Sequence, residues 1–486
     1  MKLVMNMTKD EKKRYLILKD PNIYKGLILL AIPLMINNLI KTLHDIVDMF
    51  FVTFIDGASS SQAVASIQLT FPVMFTFISL GIGLSIAGTA LISQNIGANK
   101  YEMARKYAGQ LFLVAIFTGI LLNIIAYLLA PSIMAWMGAT GFVLENASTY
   151  LQIRAFELPF LFAFFAYLGI RQASGDTISP VLVSGSAIVL NIILSPIFII
   201  VLNLGVPGAA FATLVANATV MPIGIIRLFK AKDGITLRLK DIIGHASIAM
   251  SERIIIVKKI VKTAVPASLG QAITAIGFGV MNGVIYSFGE ETVAAFGVGN
   301  RLLSMILHPV MAMGAILSAY IGQNIGALNP SRAKVTFKKS MQLSVFIMII
   351  GSLAIIFVRE PLASIFMGDD PVALRLTVDY MFFILLGLPL MAVFQTFIGT
   401  YNGTGNTKYT FILSVTRLWV IRIPLVYMMA QLFPQRGSQV IWEAMLISNL
   451  LIAVIGYILY LRIDFKPKVD VEKKPRYKEN PITIKA

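Results

Sequence analysis

The sequence predicts an all-α integral membrane protein. Twelve transmembrane helices are expected in two six-helix lobes, related by an internal pseudo-two-fold repeat, with a central cavity between the lobes. Three observations lead there. The 486 residues are 57% hydrophobic and only 13% charged, whereas soluble domains run nearer ~25% charged. Apolar runs of about 18 residues or more, each long enough to cross a bilayer as a helix, recur along the whole chain. The second half also repeats features of the first in the same order. Cysteine is absent, which excludes disulfides and thiolate metal sites.

Residues 1–24 form a basic tail with Lys2, Lys9, Lys12, Lys13, Arg14 and Lys19. An N-terminal lobe is expected at 25–230. Its first span, about 26–55, has no small-residue cleavage site and reads as a retained helix. That span carries Asn37, Lys41, His44, Asp45 and Asp48 at intervals of one, three or four residues. On a helix all five fall within one broad stripe. Ionisable groups at membrane depth are costly, so they face a bundle interior or a watery cavity and usually work there. A bland reading is an i,i+4 pair, Lys41 with Asp45 or His44 with Asp48. Two acids, a Lys and a His on one stripe exceed what such packing needs.

The other spans of this lobe are expected at about 62–95, 105–130, 148–174, 178–203 and 206–230. The fourth holds Glu157, three residues after Arg154. A structural pair and a role in substrate or proton handling are both open. Residues 231–260 read as a soluble link whose isoleucines among charges suggest a partly amphipathic surface helix. The C-terminal lobe, 261–464, should place spans at about 261–288, 292–325, 333–358, 373–403, 408–433 and 438–463, before a basic tail at 465–486.

Lys and Arg set the orientation. One set of connections holds Lys100, Arg105, Lys106, Arg171, Arg332, Lys334, Lys338, Lys339 and Lys408, and the link adds more. The opposite connections at 56–61, 131–147 and 203–206 hold none. By the positive-inside rule both termini are cytoplasmic, in the inner (cytoplasmic) membrane of the cell. The net charge of +17 then reflects topology and attraction to anionic lipid, not nucleic acid.

The repeat rests on three ordered matches: Ala31-Ile-Pro33 with Ala264-Val-Pro266, Gln94-Asn-Ile-Gly-Ala98 with Gln323-Asn-Ile-Gly-Ala327, and Gly169 to Thr177 with Gly399 to Thr407. Six spans per half is even, so both halves enter from one side, related by an axis along the membrane normal. Gly97 and Gly326 suit left-handed C-caps, and Gly175-Asp176 and Gly405-Asn406 are turn dipeptides.

No enzyme constellation is present. His44, His245 and His308 lie on separate segments without metal-ligand spacing, and nothing matches a P-loop. No cofactor is expected. Coupling to an ion gradient then points to intramembrane carboxylates, Asp45, Asp48 and Glu157. Aligning Pro33 with Pro266 brings Asp48 to Met281, beside Asn282. Coupling is therefore asymmetric, and the C-terminal lobe offers Gln271, Thr274 and Asn282 as neutral cavity lining. Arg301, Arg417 and Arg422 read as intramembrane counter-charges or snorkelling residues.

With these residues assembled, the chain resembles the multidrug and toxic compound extrusion (MATE) family from about residue 25 to 463. The carriers are IVDMFFV in the first span, the two QNIGA helix ends, RQASGDTISP at 171–180, LNIILSPIF at 190–198, GAAFAT at 208–213 and RLWVIRIP at 417–424. The resemblance implies an efflux antiporter in the lipid bilayer that expels organic cations or other drugs using H+ or Na+; a monomer is expected, and Ser195 in place of an acid with Lys41 and His44 on the stripe favours H+ over Na+. The resemblance also implies that Asp48 is the coupling acid and that Asn191 and Thr213 belong to the same site, where Na+ would also bind. Family members often read NIILDP where this chain has Ser195 before Pro196, so a second site carboxylate is replaced. The alternative is a flippase for a lipid-linked saccharide or precursor, which would favour an arginine-rich cavity.

Overall fold

The computed structural model describes residues 8–52, 59–230, 234–238, 241–242, 250–367 and 370–471. His245 lies outside the described residues, as do the side chains at 42–50, among them those of His44, Asp45 and Asp48.

The chain opens with α1 (Lys9–Leu18), whose first turn is held by a capping box between Thr8 and Glu11. The N-terminal lobe is built from α2 (Ile23–Val52), α3 (Ser59–Gly97), α4 (Tyr101–Trp136), α5 (Gly141–Ala155), α6 (Leu158–Ala173), α7 (Ile178–Pro196) and α8 (Gly205–Lys230). The C-terminal lobe follows as α9 (Met250–Tyr286), α10 (Glu290–Gly326), α11 (Pro330–Ile356), the short α12 (Arg359–Met367), α13 (Pro371–Gly403), α14 (Thr407–Val415), α15 (Ile423–Leu432) and α16 (Gln439–Leu461). Two π-helical turns interrupt these runs, Ile197–Val201 after α7 and Thr416–Arg422 between α14 and α15. Among the described residues eleven helical runs are long and apolar enough to span a bilayer, and the pair α5 and α6, bent by 48°, makes a twelfth. This is the twelve-span architecture expected.

Three details differ from the sequence reading. The connection expected at 131–147 is only 137–140, because α4 runs on to Trp136 and α5 starts at Gly141. The link at 231–260 ends sooner, since its last residues are the opening turns of α9. The fourth span breaks at Glu157, where Phe156 and Glu157 turn back in i→i+3 bonds to Ile153 and Arg154. Pro159, lacking an N–H, sits in the first turn of α6 beyond that break, a place a helix tolerates it.

α4 turns Leu113, Phe117, Ile120, Leu121, Ile124 and Leu128 outward, a face that lipid covers. Each lobe packs its own core, around Tyr107, Leu111, Phe162 and Tyr167 in the first and Tyr380, Leu385 and Trp442 in the second. A third cluster joins them, Leu27, Ala31 and Leu34 of α2 against Ala312, Met313, Ile316 and Tyr320 of α10. In lipid such contacts hold by close fit and hydrogen bonding rather than by hydrophobic burial. The closest approaches between lobes therefore fall at small residues.

Candidate functional site

One end of the bundle is shut by the same peptide used twice. Gln94 Nε2 donates to the carbonyl of Gly403 (3.2 Å), and Gln323 Nε2 donates to the carbonyl of Ala173 (2.7 Å). Each glutamine thus reaches the last turn of a helix in the other lobe. Gly97 lies directly against the Gln323 carbonyl and Gly326 against that of Gln94, so a Cβ at either would collide with backbone. The C-cap role expected for these glycines is thereby corrected. Both are the last residue of a helix, and the left-handed residues are Asn99 (φ 60°) and Leu328 (φ 56°), two positions on. Gly175 and Gly405 do take positive φ in their turns.

The first and last described segments, α1 and residues 464–471, both lie across this shut end. α1 touches the inter-lobe link through Asp10 with the Gly234 N–H, and the first lobe through Arg14 with Asn99 and Lys13 with Asp176 at 3.4 Å. It touches the second lobe where Asn324 and Arg332 donate to the Ile17 carbonyl, each at 3.2 Å, and Arg332 to that of Asp20 at 2.7 Å. From the segment after α16, Lys468 N–H donates to Gln94 Oε1 (2.7 Å) and Asp470 pairs with Lys259 (3.4 Å). Burial opposes charge on Asp176, but Lys13, Ser179 and Arg171 outweigh it and hold the carboxyl below its usual range.

Inside the first lobe a polar seam joins four elements. Ser184 Oγ on α7 donates to Asn37 Oδ1 on α2 (2.5 Å). Seven and eleven residues further along α7 come Asn191 and Ser195, on the same face as Ser184. Ser195 Oγ donates to Asn191 Oδ1 (3.3 Å), and Asn191 Nδ2 donates to Thr213 Oγ1 on α8 (3.1 Å). One turn on, Asn217 Nδ2 donates to Glu157 Oε1 (2.7 Å), and Arg154 Nε stands 2.6 Å from Glu157 Oε2. Glu157 is 2% exposed. Such a carboxylate is retained at depth only because a guanidinium and an amide satisfy it.

The seam brings together Asn37, Asn191, Ser195, Thr213 and Glu157 of the residues named from sequence. Sequence reasoning missed Ser184 and Asn217. Both lie in register with residues it did name, at i−7 of Asn191 and i+4 of Thr213, and that spacing was the available signal. Lys41 continues α2, and His44, Asp45 and Asp48 follow on the same helix. The C-terminal lining candidates lie along α9. Thr274 is taken by its own helix through the Gly270 carbonyl (2.6 Å), Gln271 is half-buried and Asn282 is exposed.

The second lobe holds arginines instead of an acid. Arg417 and Arg422 are five residues apart on the π-helical turn, whose wider pitch brings such residues onto one face. Neither snorkels: they are 5% and 3% exposed. Arg422 donates to Ser448 Oγ (2.9 Å) and Asn449 Oδ1 (2.7 Å) on α16, while Arg417 lies over the Phe394 ring (4.3 Å) with an Nη against Met391 Sδ (3.1 Å). Among the described residues no group of three or more His, Asp or Glu side chains could hold a metal ion.

A family profile described as MatE matches residues 33–197 and 266–428. A multidrug export protein, MepA, of Staphylococcus haemolyticus is 24% identical over 469 residues, covering 96% of this chain and 100% of that one. A probable multidrug resistance protein, YoeA, of Bacillus subtilis is 24% identical over 84% of this chain and 88% of its own length. Among solved structures, one described as the outward-facing conformation of a multidrug resistance MATE family transporter superposes with a TM-score of 0.85. It shares 25% identity, over 94% of this chain and 98% of that one.

Proposed function

The chain belongs to the MatE family of multidrug and toxic compound extrusion transporters, and on that premise we propose that it is a secondary active antiporter exporting small amphiphilic or cationic organic compounds in exchange for H+. It is a multi-pass membrane transporter, not an enzyme. The observation that carries the proposal is the buried seam from Asn37 to Glu157, because polar side chains linked at membrane depth across several helices mark an ion or substrate path. The coupling acid is Asp48, eleven residues beyond Asn37 on α2.

The choice of H+ over Na+ rests on where the oxygens go. A Na+ site needs several oxygens converging on the ion, with formal negative charge near. Asn191 Oδ1 accepts from Ser195, and Thr213 Oγ1 accepts from Asn191 while donating to the Ala209 carbonyl. These oxygens are already engaged within the seam. The position of a second carboxylate is held by Ser195, and Lys41 stands one turn before Asp45. A nearby fixed cation repels Na+ but leaves a carboxylate free to exchange a proton. The shut end, with Lys13, Lys100 and Arg332, is the cytoplasmic one by the distribution of basic residues, so the bundle opens outward.

Proteoliposomes with an imposed pH gradient and no Na+ test the reading. Exchange of a fluorescent organic cation driven by the pH gradient supports it. Transport that follows a Na+ gradient and ignores pH replaces H+ by Na+, with Asp45, Asp48, Asn191 and Thr213 as ligands.

A further inference from the structure

The two lobes build the same polar corner, and one of them lacks its acid. The repeat that sets Phe156-Glu-Leu-Pro159 against Leu386-Gly-Leu-Pro389 puts Gly387 in the place of Glu157. It also sets Asn217, followed seven residues on by Gly224, against Asn449, followed by Gly456. In the first lobe Asn217 Nδ2 donates to the Glu157 carboxylate, and an arginine, Arg154, completes the pair. In the second lobe Asn449 Nδ2 lies close against the Gly387 position, 3.2 Å from where a Cβ would stand. There the amide finds no acceptor among the described residues.

The surrounding groups are donors too. Arg422 is bound to the Oδ1 of that same Asn449, and Arg417, whose Nε also lacks an acceptor, stands one π-turn away. Among the described residues no carboxylate forms an ion pair with either arginine. Glu443 on α16 is engaged by Arg436 at 2.8 Å, and Asp379 lies twelve residues from Met391, about 18 Å along α13. Arginine keeps its proton in proteins, so this corner carries two buried positive charges and an unsatisfied amide donor. Guanidinium and amide donors gathered in one buried corner without an acid match an anionic group, and arginine's planar fork matches a carboxylate best.

We infer that the corner formed by Gly387, Arg417, Arg422 and Asn449 binds a carboxylate of the transported molecule, the group that Glu157 supplies from within the chain in the other lobe. This rests on the reading of the chain as an exporter and extends its substrates to amphiphiles that carry a carboxylate, acids and zwitterions among them. The Phe394 ring under Arg417 and the Met391 sulfur beside it give the apolar body a soft wall.

The test uses the full chain in nanodiscs and two fluorescent probes of one shape, dansylglycine and its neutral amide dansylglycinamide. The unmodified protein should bind the acid at least tenfold more tightly than the amide. Arg422→Gln and Arg417→Gln should each bring that ratio to within about twofold of one. Should these variants fail to purify, Gly387→Glu keeps both arginines and supplies a tethered carboxylate, and it too should abolish the preference. A ratio near one in the unmodified protein overturns the inference, as does a ratio that survives in any of these variants. Competition by chloride alone at tens of millimolar, without discrimination between the probes, makes the counter-ion a solvent halide and also overturns it. Export of a cationic dye by the unmodified protein is read separately. If that export is absent while the acid preference stands, the transport reading fails and the binding site does not.

Discussion

Glu157 is held from two directions, by Arg154 on the preceding helix and by Asn217 on α8, and a single changed atom should expose that dependence. Glu157→Gln keeps the shape and leaves the Arg154 guanidinium without its counter-charge. Breaking a buried pair in this way costs about 3–5 kcal/mol, read as an earlier midpoint when the purified protein is titrated with SDS. Arg154→Gln together with Glu157→Gln should recover most of the loss, and an unchanged midpoint in the single variant would rule out a structural pair. Asp48 predicts the opposite profile. Asp48→Asn should leave insertion and unfolding unchanged while lowering efflux of an organic cation tenfold or more, and Asp45→Asn should cost less. Equal efflux by Asp48→Asn at equal expression removes Asp48 from the coupling step.

Among the elements, the glycine-ended α3 and α10 and the clasp formed by α1 set the state of the bundle. Ser93 is fully buried beside Gly322 at the shut end, and the chain has no cysteine of its own. Ser93→Cys should therefore resist thiol reagents. Gly97→Ala, by forcing a methyl against the Gln323 carbonyl, should speed its modification at least tenfold, and an unchanged rate would refute the steric account. The clasp has a pH signature. Asp176 is held below its usual range, so the stability it adds is fully present above about pH 4 and is lost as pH falls through its folded value. Asp176→Asn should lower the thermal midpoint at pH 7 and 5 alike, and the gap from the unmodified protein should close as acid protonates the folded carboxyl. At this scale the sequence was a partial guide. Apolar length announced the spans, and the repeated QNIGA announced that these ends matter. The reason they matter was hidden, because a glycine at a helix end serves a C-cap and a close crossing equally well. The π-turn at Thr416–Arg422 was equally hidden, since its backbone depends on tertiary partners such as Ser448 and Asn449.

Taken as a whole, the molecule is two lobes tied at one end, and on the proposed topology that end should face the cytoplasm. A cysteine at 140 should react with an impermeant reagent added to intact cells, and one at 245 only after permeabilisation. The reverse pattern inverts the topology. The lobes and their internal repeat were legible because a bilayer allows few solutions and duplication leaves ordered matches. The N-lobe seam was half legible: Asn37, Asn191, Thr213 and Glu157 stood out as polar residues in apolar runs, whereas Ser184 and Asn217 emerge only once α7 and α8 are side by side. The tie itself has a further consequence. Gln94 to Gly403 and Gln323 to Ala173 are one bond made twice, as are the crossings at Gly97 and Gly326. A surface that contacts its own copy in this way is isologous, the geometry of a symmetric dimer. A half-length ancestor closing on a second identical subunit would have needed only one version of this seam, and every improvement to it would have counted on both sides. Fusion into one chain would leave the halves free to diverge away from it, as at Glu157 in one lobe and Gly387 in the other, while the seam kept both in register.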